Sequence, residues 1–97
     1  MNIQGLSHLT LIVHDLEKTT LLFEKIFSAE MLYDSGDHSF SLSRERFFRI
    51  GDLWIVAMQG KALPERTYNH IAFQIAEDDF EGYKKRIADF GLALQTP

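Results

Sequence analysis

The chain has 97 residues, 45% hydrophobic and 25% charged, with eight Phe, which bounds it to one small globular domain with material for a core. A net charge of −4 without a long Lys/Arg run gives no reason to expect a nucleic-acid partner. The absence of cysteine excludes disulfide staples and thiolate metal sites and is compatible with the cytosol.

Leu6 to Val13 is apolar, but Ser7, His8 and Thr10 interrupt it and no basic leader precedes it. It reads as neither a signal peptide nor a membrane span, and the protein is expected to be cytoplasmic with no membrane partner. It reads instead as a strand, from about Leu6 to His14. Side chains of a strand alternate between faces, so Leu9, Leu11 and Val13 share one face, and His8, Thr10 and Ile12 the other. Asp15 is the expected N-cap of a helix, only partly so because Lys18 stands where a capping box wants Glu. Leu16, Thr20, Phe23 and Phe27 carry that helix to about Ser28.

A short strand is expected at Glu30 to Tyr33, a turn at Asp34-Ser35-Gly36-Asp37, and a further strand at Ser39 to Ser43. The apolar runs Phe47 to Ile50 and Leu53 to Met58 flank Gly51-Asp52, a two-residue hairpin signal. About 60–66, with Gly60 and Pro64, reads as a connection. Thr67 to Ala76 is a second strand with a histidine: Ile71, Phe73 and Ile75 share one face, and Tyr68, His70, Ala72 and Gln74 the other. Asp78 or Asp79 should open a second helix with Phe80, Tyr83, Ile87 and Phe90 on its apolar side, closed by Gly91. Leu92 to Gln95 begins a last strand.

The predicted order is β-α-β-β-β followed by β-α-β. This is an α+β class of paired modules forming curved mixed sheets within one domain over 1–97. Module one covers about 1–59, and an incomplete module two about 67–97. Two strands with exposed edges are marginal alone, so either the chain is cut short or a partner completes it.

Ser7-His8-Leu9-Thr10 and Asn69-His70-Ile71-Ala72 place one imidazole at matching points of the two modules. Either histidine alone reads as an ordinary half-exposed residue. The repeat favours paired ligands of one cation. Glu45, inside Arg44-Glu45-Arg46, reads by itself as a solvated strand end. Thr10 is commonplace in a strand. Trp54 and Tyr68 read as core or rim aromatics, Met58 and the phenylalanines as core, His14 and His38 as surface, and Arg66 as a structural ion-pair donor.

The module order and its two histidines resemble the vicinal oxygen chelate (glyoxalase/bleomycin-resistance) superfamily. Within it, Gly5-Leu6-Ser7-His8-Leu9-Thr10, Ser39-Phe40-Ser41-Leu42-Ser43-Arg44-Glu45, Gly51-Asp52-Leu53-Trp54 and Glu65-Arg66-Thr67-Tyr68-Asn69-His70-Ile71-Ala72-Phe73 resemble fosfomycin resistance proteins, the hydrolytic FosX type above all. The resemblance runs along essentially the whole chain.

It implies that His8 and His70 ligate a divalent metal, commonly Mn(II), with no organic cofactor. It makes Glu45 the general base that activates water, and Thr10, Trp54 and Tyr68 substrate-binding residues. It implies a homodimer with swapped modules, in which His8 of one subunit meets His70 of the other. The substrate implied is a small phosphonate epoxide, fosfomycin. The third ligand of the family, a glutamate of the last strand, is expected beyond Pro97, so the chain reads as a fragment. A non-catalytic binding module of the same fold, or a thiol transferase acting on fosfomycin, are the alternatives. The second is disfavoured because those branches of the family lack a carboxylate where Glu45 stands.

Overall fold

A computed structural model of the protein describes residues 1–37, 42–61 and 63–94. The chain divides into two compact units, Met1–Ala62 and Leu63–Pro97.

Unit one is a four-stranded mixed sheet covered on one side by a helix. Its elements are β1 (His8–Val13), α1 (Leu16–Phe27), β2 (Glu30–Asp34), β3 (Glu45–Ile50) and β4 (Leu53–Gln59). The sheet order is β1-β4-β3-β2, with β1 parallel to β4 and the other neighbours antiparallel.

Asp15 caps α1, its carboxylate accepting the Lys18 N–H at 3.0 Å, so the cap forms without the reciprocal Glu. Ser28 ends the helix in the left-handed region at φ 53°, and its N–H reaches the Phe23 carbonyl. Leu16, Thr20, Phe23 and Ile26 are the buried face. Of these, Leu16 and Phe23 form one cluster with Phe48, Ile55 and Ala57 of the central strands, with Leu11, Val13 and Leu53 packed around it. The Phe23 ring meets Phe48 edge-on at 5.2 Å between centroids. Gly51, at φ 59°, makes the two-residue turn that pairs Ile50 with Leu53.

Strand β3 starts two residues earlier than the apolar run suggested, and Glu45 and Arg46 are buried at 9% and 6% exposure. The solvated-edge reading is therefore overturned for Glu45 and Arg46, while the Arg44 side chain remains 39% exposed. Of the expected strand at 39–43, residues 39–41 lie outside the described residues, as does His38, and Leu42 and Ser43 form a bend.

Unit two holds a 3₁₀ turn, Glu77–Asp79, running into α2 (Phe80–Asp89). Asp79 makes no side-chain cap, because the 3₁₀ turn already occupies the position where a cap would stand. The C-terminus follows expectation: Gly91 takes φ 87°, its N–H donates to Ala88 O at 2.9 Å, and Leu92 N–H donates to Ile87 O at 3.1 Å, a Schellman motif. Tyr83, Ile87 and Phe90 are the half-buried side of α2. Phe80 is instead 52% exposed and lies beneath Lys84, whose Nζ is 5.8 Å from the ring centre.

The expected strands at 67–76 and 92–95 are corrected: residues 67–76 and 92–94 carry no strand, and residue 95 lies outside the described residues. All of 67–76 is exposed, with Ile71, Phe73 and Ile75 at 38%, 37% and 39% and Tyr68 at 91%. A strand exists only through its ladder, and among the described residues no other strand pairs with this segment.

Candidate active site and metal centre

With α1 covering one side of the sheet, strand alternation assigns the other side. That far face carries His8, Thr10 and Ile12 from β1, Trp54, Val56 and Met58 from β4, and Glu45, Phe47 and Arg49 from β3. The registers align His8 with Trp54, Thr10 with Val56, and Ile12 with Met58. Across the next ladder Met58 faces Glu45, Val56 faces Phe47, and Trp54 faces Arg49. Ring contacts agree: Phe47 lies 6.3 Å from the His8 ring and 5.6 Å, edge-on, from Tyr33.

His8 and Thr10 are exposed, and Trp54 is 44% exposed. The Nδ1 of His8 is 3.0 Å from Ser7 Oγ. If the hydroxyl accepts there, Nε2 keeps its lone pair for a cation. On that face Glu45 is 9% exposed as a residue, and among the described residues its side chain has neither a hydrogen bond nor an ion pair, so its carboxylate meets solvent.

His70 and Tyr68 belong to unit two. The Nδ1 of His70 lies 2.8 Å from the Tyr68 carbonyl. A carbonyl can only accept, so Nδ1 carries the proton and Nε2 of the neutral ring is free as a donor to metal. The Tyr68 ring stands edge-on to the imidazole at 5.0 Å. Both histidines are exposed with Nδ1 beside a local partner, and the partner fixes the tautomer at His70, where it is a carbonyl. Among the described residues no three His, Cys, Asp or Glu converge on one point.

On the α1 side of the sheet lies a group of charges that residue spacing did not reveal. Asp34 Oδ2 accepts from Arg44 at 3.1 Å and from Arg46 Nε at 2.9 Å, and Asp34 Oδ1 accepts the Gly36 N–H at 2.8 Å. Arg46 also donates to Thr20 Oγ1 at 2.8 Å and to Glu17 at 2.6 Å. The stretch Asp34 to Asp37 read as a turn by composition, and the alternating Arg-Glu-Arg ten residues later was the available hint. Arg66 makes no ion pair among the described residues. A shallow depression of about 300 Å³ bordered by His14, Asp15, Glu17, Arg44 and Gln59 adjoins this group and is separate from the far face.

Arg44, then the Gly36 N–H, with Arg46 adding to them, hold the Asp34 carboxyl well below its ordinary value of 3.8. A depressed folded-state pKa contributes stability that is present above the ordinary value and lost as pH falls below it. The stability difference between the parent and Asp34→Asn should therefore narrow as pH is lowered from about 5 towards 2, measured by urea unfolding. A constant difference would mean that the carboxylate charge is immaterial.

No protein-family model matches the chain. It is 17% identical, at a TM-score of 0.75 over 97% of its length and 74% of the other's, to a glyoxylase/bleomycin resistance protein/dioxygenase domain from Frankia sp.. It is 56% identical over 93 residues to the fosfomycin resistance protein FosX of Listeria innocua, spanning 96% of this chain and 70% of that one. A variant of FosX from Listeria monocytogenes, solved with Mn(II) and 1S,2S-dihydroxypropylphosphonic acid, superposes at a TM-score of 0.87 with 54% identity, over 98% of this chain and 73% of the other.

The mixed sheet of β1-β4-β3-β2 order with a single covering helix, and its likeness to the Frankia domain, define the glyoxalase/bleomycin-resistance class of fold. Within that class the chain belongs to the FosX family of fosfomycin resistance proteins.

Proposed function

We infer that the protein is a metal-dependent hydrolase that opens fosfomycin with water and so confers resistance to the antibiotic. The observation that carries this reading is Glu45: a residue 9% exposed whose carboxylate is committed to no partner among the described residues, on the sheet face that holds His8 and Thr10. The ligand of the Listeria monocytogenes relative supports it, because 1S,2S-dihydroxypropylphosphonic acid is a vicinal diol, the product of adding water to an epoxide.

His8 and His70 hold a divalent cation, Mn(II), through their Nε2 atoms, in a homodimer of swapped modules that brings His8 of one subunit to His70 of the other. A carboxylate completes the donor set, and no organic cofactor takes part. When bound, the cation supplies Lewis acidity for the charge that develops on the epoxide oxygen. Glu45 takes the proton from the attacking water as the new C–O bond forms and the epoxide C–O bond breaks. The released oxygen acquires a proton from solvent, and Glu45 returns its own. Thr10 offers the substrate a hydroxyl, and Trp54 and Tyr68 border it. The enzyme works in the cytoplasm.

The test is diol formation from fosfomycin with added Mn(II), followed by phosphorus NMR. A product heavier by a thiol would overturn hydrolysis in favour of thiol transfer. His8→Ala and His70→Ala should each weaken Mn(II) binding by at least about 100-fold, read from the paramagnetic resonance of the free ion. Undiminished affinity in both would remove them as ligands.

A further inference from the structure

Nothing in the side chain of Glu45 itself decides which face of the sheet it occupies. Its neighbours decide it. The Glu45 N–H donates to Ser35 Oγ at 3.0 Å, and the Ser35 N–H donates back to the Glu45 carbonyl at 3.0 Å, with Ser35 buried at 7% exposure. One position to either side, Arg44 and Arg46 converge on a single carboxylate oxygen of Asp34, at 3.1 and 2.9 Å. Arg46 continues to Thr20 and Glu17 of α1, so the β3 start is tied to the helix through a side chain of the opposite face.

The place of this clamp is informative. The register between β2 and β3 shifts between Met31 and Tyr33, and Asp34 pairs with Arg46 just past that irregularity. Because strand side chains alternate, a slip of one residue would carry Glu45 to the α1 side and Arg46 to the far face. The β3–β4 ladder is regular from Glu45–Met58 to Ile50–Leu53, and on the β2 side the two arginines on one carboxylate hold the short stretch of ladder past the irregularity.

We propose that Asp34 and Ser35 are positioning residues for Glu45, locking the start of β3 so that its carboxylate stays on the face that carries His8 and Thr10. The role rests on Glu45 being the general base. A base acts only within hydrogen-bond reach of the proton it removes, and a displacement of about 1 Å can cost on the order of 100-fold in rate.

The test is a double-mutant cycle of Asp34→Asn with Glu45→Gln in the Mn(II)-loaded protein, joined to amide hydrogen exchange. Asp34→Asn should lower kcat by about 10- to 100-fold with KM changed less than about twofold, and should change kcat by less than about threefold once Glu45 is already Gln. Equal losses in both backgrounds would overturn the positioning role while leaving the base intact. A fully active Glu45→Gln would overturn the base, and the positioning role with it. Independently of turnover, Ser35→Ala should speed exchange of the Glu45 amide by about tenfold while the amides paired between β1 and β4 stay protected. Exchange raised alike across all four strands, or unchanged at Glu45, would overturn the proposal.

Discussion

Glu45→Gln should lower the turnover of fosfomycin by about 10²–10⁴-fold while Mn(II) affinity and thermal stability stay near those of the parent. Gln has the shape of Glu and keeps both backbone bonds to Ser35, so the start of β3 is undisturbed. It cannot take a proton from water, and that is the one property removed. The carboxylate of Glu45 has no hydrogen-bond or ion-pair partner among the described residues, so neutralising it strands no opposite charge and exacts little stability. The loss should fall on kcat with KM nearly unchanged, the signature of an interaction made in the transition state only. Turnover equal to the parent's would remove Glu45 as the base, and a matching fall in melting temperature would recast it as a structural residue.

Phe48→Ala should destabilise the protein by about 3–5 kcal/mol, a large share of a domain stability on the order of 5–15 kcal/mol. Phe48 is 0% exposed, sits in a central strand and takes the edge of the Phe23 ring at 5.2 Å. Removing it costs the transfer of its ring from water and leaves a cavity between α1 and the sheet. Phe80→Ala is the matched control, since that ring is 52% exposed, and it should cost less than about 0.5 kcal/mol. Urea unfolding of the two variants compares them directly. Equal effects would mean that the core of unit one is not where the stability resides.

The two prominent features of the candidate site were legible to different depths. The faces of β1 followed from alternation alone: His8, Thr10 and Ile12 are exposed, and Leu9, Leu11 and Val13 are half-buried. The cap at Asp15, the buried stripe of α1 and the closing glycine of α2 were also readable, because each depends on residues within one or two helical turns. The setting of Glu45 was not readable. Arg44-Glu45-Arg46 resembles a solvated strand end until Asp34, ten residues away, is brought opposite to absorb both arginines.

The sequence by itself determined which side chains share a face and where the helices begin and end, since periodicity and capping are set by near neighbours and need no knowledge of the rest of the fold. Tertiary structure alone decided two further matters. It buried Glu45 and Arg46 by joining Arg46 to Asp34 and to Thr20 and Glu17 of α1. It also left residues 67–76 without strand structure despite their alternation. The reason is common to both: ladders and ion pairs form between positions far apart in the chain, and a strand pattern without a partner to receive its hydrogen bonds remains only a pattern.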